Sequence, residues 1–136
     1  MVEDCGEDGT FDEAKQFSSS YVKVYRNAEN LGQHRNKMRG VELSSARLIQ
    51  FLDGDDYMMP DGLGHLVDIY EKLEGAAGMV LGRVVHVDEG GGLLAEGPKW
   101  GMEGLASGVE LLKLFLRIPG GGSRFGNVSG HLIDRD

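Results

Sequence analysis

The sequence predicts an α/β domain, a sheet with helices packed on its faces. Three observations predict it: apolar runs of strand length alternate with segments of helical spacing, the glycine triplets fall between those segments, and one run stops abruptly at Leu52 on Asp53, Asp55 and Asp56. Met1 and Val2 read as the last residues of a strand that runs into the acidic turn Glu3 to Thr10. Phe11 to Ser18 reads as a helix, with Thr10 as N-cap and Glu13 closing a capping box. Tyr21 to Tyr25 alternates around β-formers and reads as a strand ended by Arg26-Asn27. Asn30 then caps a helix to about Ser44 that offers Leu31, Met38, Val41 and Leu43 as apolar positions.

Arg47 to Leu52 is the next strand, with Ile49 to Leu52 read as its buried end. Asp61 to Leu73 follows as a helix with Leu63, Leu66, Val67, Tyr70 and Leu73 at helical spacing. Met79 to Val87 is rich in β-branched residues, and Gly90-Gly91-Gly92 permits a reversal into Leu93-Leu94-Ala95, an antiparallel hairpin. Val109 to Ile118 is an apolar helix stopped by Pro119-Gly120-Gly121-Gly122. Asn127 to Ile133 closes the series as a strand.

With 136 residues, 40% of them hydrophobic, the chain is the size of one domain with one core. The net charge of −8 argues against nucleic acid as a partner and against an anionic membrane surface. One cysteine, Cys5, excludes an internal disulfide and fits a reducing, cytoplasmic compartment. No apolar stretch approaches the roughly 20 residues of a membrane span, and the first residues do not resemble a signal peptide.

The carboxylates after Leu52 suit a divalent cation, since Mg2+ or Mn2+ takes one or two carboxylates together with substrate phosphate oxygens. A calcium loop fails, because Tyr57 stands at its fifth position and Gly64 at its twelfth, where ligands are needed. Gly62-Leu63-Gly64 fails the dinucleotide fingerprint because Val67 stands where the third glycine belongs. The histidines at 34, 65, 86 and 131 lack metal-ligand spacing and read as surface or helix-face residues.

Three segments in order carry a family resemblance: Val2-Glu3-Asp4-Cys5-Gly6-Glu7-Asp8-Gly9-Thr10, then Arg26-Asn27-Ala28-Glu29-Asn30-Leu31-Gly32 with Gly40, then Phe51-Leu52-Asp53-Gly54-Asp55-Asp56-Tyr57 with Pro60-Asp61. Together they resemble the family 2 glycosyltransferases of GT-A fold, sharply over residues 1 to about 75 and loosely beyond. The resemblance implies a Rossmann-like α/β domain with a mixed, mostly parallel sheet and helices on both faces. Residues 1–75 would be the nucleotide-sugar-binding part and 76–136 the start of the acceptor part of a single, truncated domain.

By resemblance, Asp4 is the best match to the carboxylate that binds uracil, and Glu3 the second. Glu3 replaces the usual Asp, and Cys5-Gly6 replaces Gly-Ser. Lys37 falls where the family often carries an Arg near the nucleotide, with Arg35 and Arg39 beside it. Asp53 would lie near the ribose and Asp55 would bind Mg2+ or Mn2+. The implied donor is a nucleotide-diphosphate sugar, most simply a UDP-sugar, and the reaction is inverting transfer to an acceptor hydroxyl. Asn30-Leu31-Gly32-Gln33-His34 leaves a polyprenyl-phosphate acceptor open beside a saccharide one, and with it a place at the cytoplasmic face of a membrane.

The catalytic base of the family comes from a later acidic segment, and none of Asp88, Glu89, Glu96 and Glu103 matches its pattern. The expectation is therefore a fragment lacking the first strand and the segment with the base. A non-catalytic remnant that binds nucleotide weakly, or a homodimer formed through an exposed sheet edge, is the alternative.

Overall fold

In the computed structural model, which describes residues 1–96, 104–117 and 128–135, the chain divides into two units, Met1–Ala46 and Arg47–Asp136. In the first unit, β1 (Val2–Glu3) pairs in parallel with β2 (Tyr25–Arg26), Val2 against Tyr25 and Glu3 against Arg26. Helix α1 (Thr10–Lys15) lies between them in sequence, and α2 (Gln33–Leu43) follows β2.

Three expectations shift here. The N-cap of α1 is Gly9, in a left-handed conformation at φ 81°, and no side chain caps it. Thr10 is the first helical residue, and its backbone N–H is taken by Asp8 Oδ1 at 3.0 Å, so the predicted capping box does not form. The strand expected over Tyr21–Tyr25 is confined to Tyr25–Arg26, because Ser19 Oγ accepts the N–H groups of Tyr21 and Val22 at 3.2 and 3.0 Å and bends the chain into a turn. Tyr21 is accordingly 96% exposed. The second helix starts at Gln33 after Gly32, whose φ of 77° suits glycine, and Asn30 acts two residues earlier by accepting the Gly32 N–H.

The second unit is built around β7 (His131–Asp134), which lies antiparallel between β3 (Leu48–Gln50) and β4 (Met79–Leu81). β3 and β4 therefore run in the same direction with an opposed strand between them, a mixed sheet. Among the described residues β1 and β2 form the parallel pair, while the β3–β7 and β4–β7 pairings are antiparallel. Helix α3 (Gly62–Lys72) covers this sheet through Leu66 and Tyr70, which meet Val80 and Leu132 in the core, with Leu48, Met58 and Val67 packed around them. Leu63, predicted on the same stripe, is instead 45% exposed.

Burial also departs from expectation at the two ends of the sheet. β3 ends at Gln50 rather than Leu52, and Leu52 is 51% exposed. The ladder stops there because Gln50 pairs with Leu132 and the partner chain just before His131 is a 3-10 turn, Val128–Gly130. His131 is not a surface residue: as part of the central strand it is buried, which lowers its pKa by withholding water from the imidazolium. His34, His65 and His86 are exposed.

The strand predicted over Met79–Val87 splits in two at Gly82. Gly82 N–H donates to Gly130 O at 2.7 Å and closes the β4–β7 pairing. The chain then leaves the sheet and forms the expected hairpin from β5 (Val85–Val87) and β6 (Leu93–Glu96). Asp88 organises its turn, with Oδ1 accepting the N–H groups of Gly90 and Gly92. Helix α4 (Gly108–Arg117) matches the predicted helix to within one residue at its start. Its N-terminus carries the capping box that α1 lacks: Glu110 N–H donates to Ser107 Oγ, and Glu110 Oε2 accepts the Ser107 N–H at 2.8 Å. That bond from the Ser107 backbone, with the one from its hydroxyl, holds the Glu110 carboxyl below its ordinary pKa. The predicted helix stop at 119–122 and the residues Ile118 and Asn127 lie outside the described residues.

The contact at Gly82 gives a stability test. A Cβ there would lie 2.8 Å from Gly130 O and 3.2 Å from Leu66 Cδ2, and a backbone oxygen cannot rotate away. Gly82→Ala is expected to cost about 1–3 kcal/mol through overpacking and loss of the closing bond. The midpoint of urea unfolding measures it, and an unchanged midpoint contradicts the close approach.

Candidate functional site

Glu3, Asp4 and Lys37 belong to the first unit, and Asp53, Asp55 and Asp56 to the second. β1 ends at Glu3, so Asp4 emerges at the carboxyl end of a parallel pair, the place where α/β sheets present ligand-binding groups. Its carboxylate gathers the loop between β2 and α2. Oδ1 accepts Asn27 Nδ2 and the Leu31 N–H, both at 2.8 Å, and Oδ2 accepts the Gly32 N–H at 2.8 Å. The bond from the Leu31 backbone, followed by those from Asn27 and Gly32, holds Asp4 below its ordinary pKa of 3.8 against the opposing effect of burial.

A carboxylate offers about four acceptor positions, two per oxygen. Among the described residues three are filled, and the fourth is on Oδ2.

Glu3 is used differently. It is buried, its Oε1 accepts the Gly6 N–H, and its Oε2 lies 3.2 Å from Arg26 Nε in an ion pair without an aligned hydrogen bond. Arg26 Nη2 also donates to Gly6 O at 2.7 Å, so Glu3 and Arg26 grip the turn from both sides. Within it Cys5 adopts a left-handed φ of 62°, and its thiol lies 3.7 Å from Ala28 O. A Cβ at Gly6 would lie 2.9 Å from Glu3 Oε1, so a larger residue there would displace that carboxylate oxygen. Lys37 sits half-buried on α2, with Arg35 and Arg39 exposed beside it.

In the second unit the aspartate loop hangs from the 3-10 turn before β7. Asp53 N–H donates to Ser129 Oγ at 3.1 Å, and Gln50 Nε2 donates to Ser129 O and to Phe51 O. Asp56 N–H returns to Asp53 O at 3.1 Å and closes a turn over Gly54 and Asp55. Asp55 is exposed at its tip, while Asp53 and Asp56 are half-buried. Among the described residues no three His, Cys, Asp or Glu side chains are grouped to hold a metal ion by themselves.

Of the later acidic residues, Asp88 is engaged in the hairpin turn, Glu89 is exposed, and Glu96 lies 3.9 Å from Arg83. Glu103 lies outside the described residues. Sequence reasoning gave Asn27, Asn36, Gln50 and Ser129 no role in the site. Asn27 carried the clearest signal, as the residue that stops β2 and a member of the second family segment.

Two carboxylate-bearing loops, each at the end of a strand and each held by groups far away in sequence, mark this α/β protein. The sequence profile of Glycosyl transferase family 2 matches residues 1–120, and the chain belongs to that family. Its α/β elements are those of the GT-A, Rossmann-like fold that the family implies. The family works on a nucleotide-sugar donor and an acceptor. No curated relative and no solved structure matches the chain. Among the described residues no helix is long and apolar enough to cross a membrane.

The lowered pKa of Asp4 carries a signed pH prediction. A carboxyl whose folded-state pKa is depressed adds stability that is fully present above its unfolded value and is lost as pH falls through the folded one. The stability gap between the native chain and Asp4→Asn should therefore be constant above pH 3.8 and shrink below it. Urea melts across that range measure the gap. A gap that stays constant as the pH falls would mean that Asp4 is not held as a carboxylate.

Proposed function

We propose that the chain binds a uridine-diphosphate sugar and serves its inverting transfer to an acceptor hydroxyl. The observation that carries this reading is the acceptor inventory of Asp4, whose remaining position on Oδ2 suits one donor such as the ring N–H of uracil. Glu3, whose carboxylate is engaged with Gly6 and Arg26, supports that site by holding the turn. Lys37 supplies positive charge near the nucleotide, without the two-pronged contact of a guanidinium.

Asp53 is assigned to the ribose and Asp55 to a divalent ion, Mg2+ or Mn2+. The exposed Asp55 carboxylate fits such an ion, which takes one or two carboxylates and completes its shell with phosphate oxygens and water. When bound there, the ion supplies charge neutralisation for the departing diphosphate. The acceptor is a saccharide or a polyprenyl phosphate, the latter met at the cytoplasmic face of a membrane.

A ligand bound only by the folded state raises its stability by about 2.7 kcal/mol at a hundred times its Kd. UDP with Mn2+ should therefore raise Tm by several degrees. Asp55→Ala should abolish the metal-dependent part of that shift, and Asp4→Ala the nucleotide-dependent part. An absent shift at millimolar UDP with Mn2+, or an undiminished one in Asp55→Ala, overturns the reading.

A further inference from the structure

We propose that Asn36, acting through Asn27, is a positioning residue for nucleobase recognition, fixing which oxygen of Asp4 remains available to the base. The inference rests on the assignment of Asp4 to the nucleobase made above. Its basis is a directional relay of amides within the first unit.

Asn36 Nδ2 donates to Val2 O at 3.2 Å, and because a backbone carbonyl can only accept, the Asn36 amide cannot turn over without losing that bond. Its Oδ1 is thereby presented to Asn27, whose Nδ2 donates to it at 2.9 Å. The same nitrogen donates to Asp4 Oδ1 at 2.8 Å, so both hydrogens of the Asn27 amide are committed. A reversed Asn27 would set its own oxygen against the Asp4 carboxylate and the Asn36 oxygen, two repulsive contacts in place of two hydrogen bonds. Val2 O therefore orients Asn36, Asn36 orients Asn27, and Asn27 acts on Asp4.

The consequence is an asymmetric carboxylate. With Asn27 in place, Oδ1 holds two donors and is full, whereas among the described residues Oδ2 holds only the Gly32 N–H. Without Asn27, the Leu31 and Gly32 N–H groups would leave one position on each oxygen, and an incoming N–H would meet two alternatives instead of one. The relay also adds a donor to the ionised carboxylate, in line with the low pKa of Asp4. Asn36 is one turn inside α2 and half-buried, close enough to order Asp4 without being its direct partner.

The test compares UDP with N3-methyl-UDP, which lacks the ring N–H, by calorimetry in the presence of Mn2+. The native chain should prefer UDP by roughly tenfold, the scale of one hydrogen bond to a charged acceptor. Asn36→Ala should lower that ratio, because the Asp4 oxygen that meets the base is no longer fixed, while circular dichroism reports a folded chain. A merely structural Asn36 would weaken both ligands equally and leave the ratio unchanged, which overturns the proposal. Where Asn36→Ala does not fold, Asn27→Ala removes the donor itself and is read by the same ratio. Asp4→Ala separates the two readings. If the native chain discriminates, Asp4→Ala does not, and the asparagine variants keep the native ratio, the relay is wrong while the assignment of Asp4 stands. A native chain that binds both nucleotides alike, or neither, overturns both.

Discussion

The carboxylate of Asp4 is the interaction on which the first unit depends. Two strands of two residues each cannot hold a loop by their own ladder, and neither α1 nor α2 contains a buried residue. What organises the chain is hydrogen bonding to charge: Asp4 collects the β2–α2 loop, and the Glu3–Arg26 pair secures the turn that follows β1. Bonds to an ionised acceptor are worth roughly twice a neutral one, so a few of them can order a loop that has little apolar surface to bury. The cost is acceptor capacity, since a carboxylate spent on its own backbone has less left for a ligand.

The second unit meets the same problem with neutral groups. Ser129, from the turn before the central strand, takes the Asp53 N–H, and Gln50 ties Ser129 O to Phe51 O. Both partners of Gln50 Nε2 are carbonyls, so its amide can face them only one way, and Oε1 is left buried without a partner among the described residues. An unsatisfied buried acceptor costs about 1–3 kcal/mol. That expense fixes the base of the aspartate loop through the backbone N–H of Asp53 and the carbonyls of Phe51 and Ser129. Asp55 stands exposed at the tip of the turn that this base supports.

The α/β alternation and the aspartate loop were legible because both are local patterns. α3 and α4 announce themselves by apolar spacing, and the Asp53–Asp55–Asp56 group by its abrupt succession to an apolar run. The relay through Asn27 and Asn36 was not legible, because it joins residues whose neighbours in sequence say nothing of Val2 or Asp4. Ser129 is 76 positions from Asp53, and only the insertion of β7 between β3 and β4 brings it there. The same insertion explains why His131 is buried although its sequence neighbourhood gives no apolar stripe. Thr10 failed as a cap for a local reason: Gly9 supplies the left-handed turn and Asp8 takes the N–H first, whereas Ser107 and Glu110 make the box at α4.

An acidic chain with a net charge of −8 must explain how it would approach an anionic diphosphate, and the fates of its carboxylates decide the matter. Glu3 is neutralised by Arg26, and Asp134 by the two-pronged contact of Arg47 at 3.1 and 2.8 Å together with the Tyr70 hydroxyl. Asp88 and Glu110 are turned towards backbone N–H groups in their own turns. These groups repel an approaching phosphate far less than their formal charge suggests, because each faces a compensating dipole or cation. Asp55 is exposed, and the repulsion it would exert on a diphosphate is what the divalent ion proposed there would relieve. On that argument the acidity of the chain and the proposed metal requirement are one property, and replacing the Asp55 carboxylate would remove the ion and part of the need for it together.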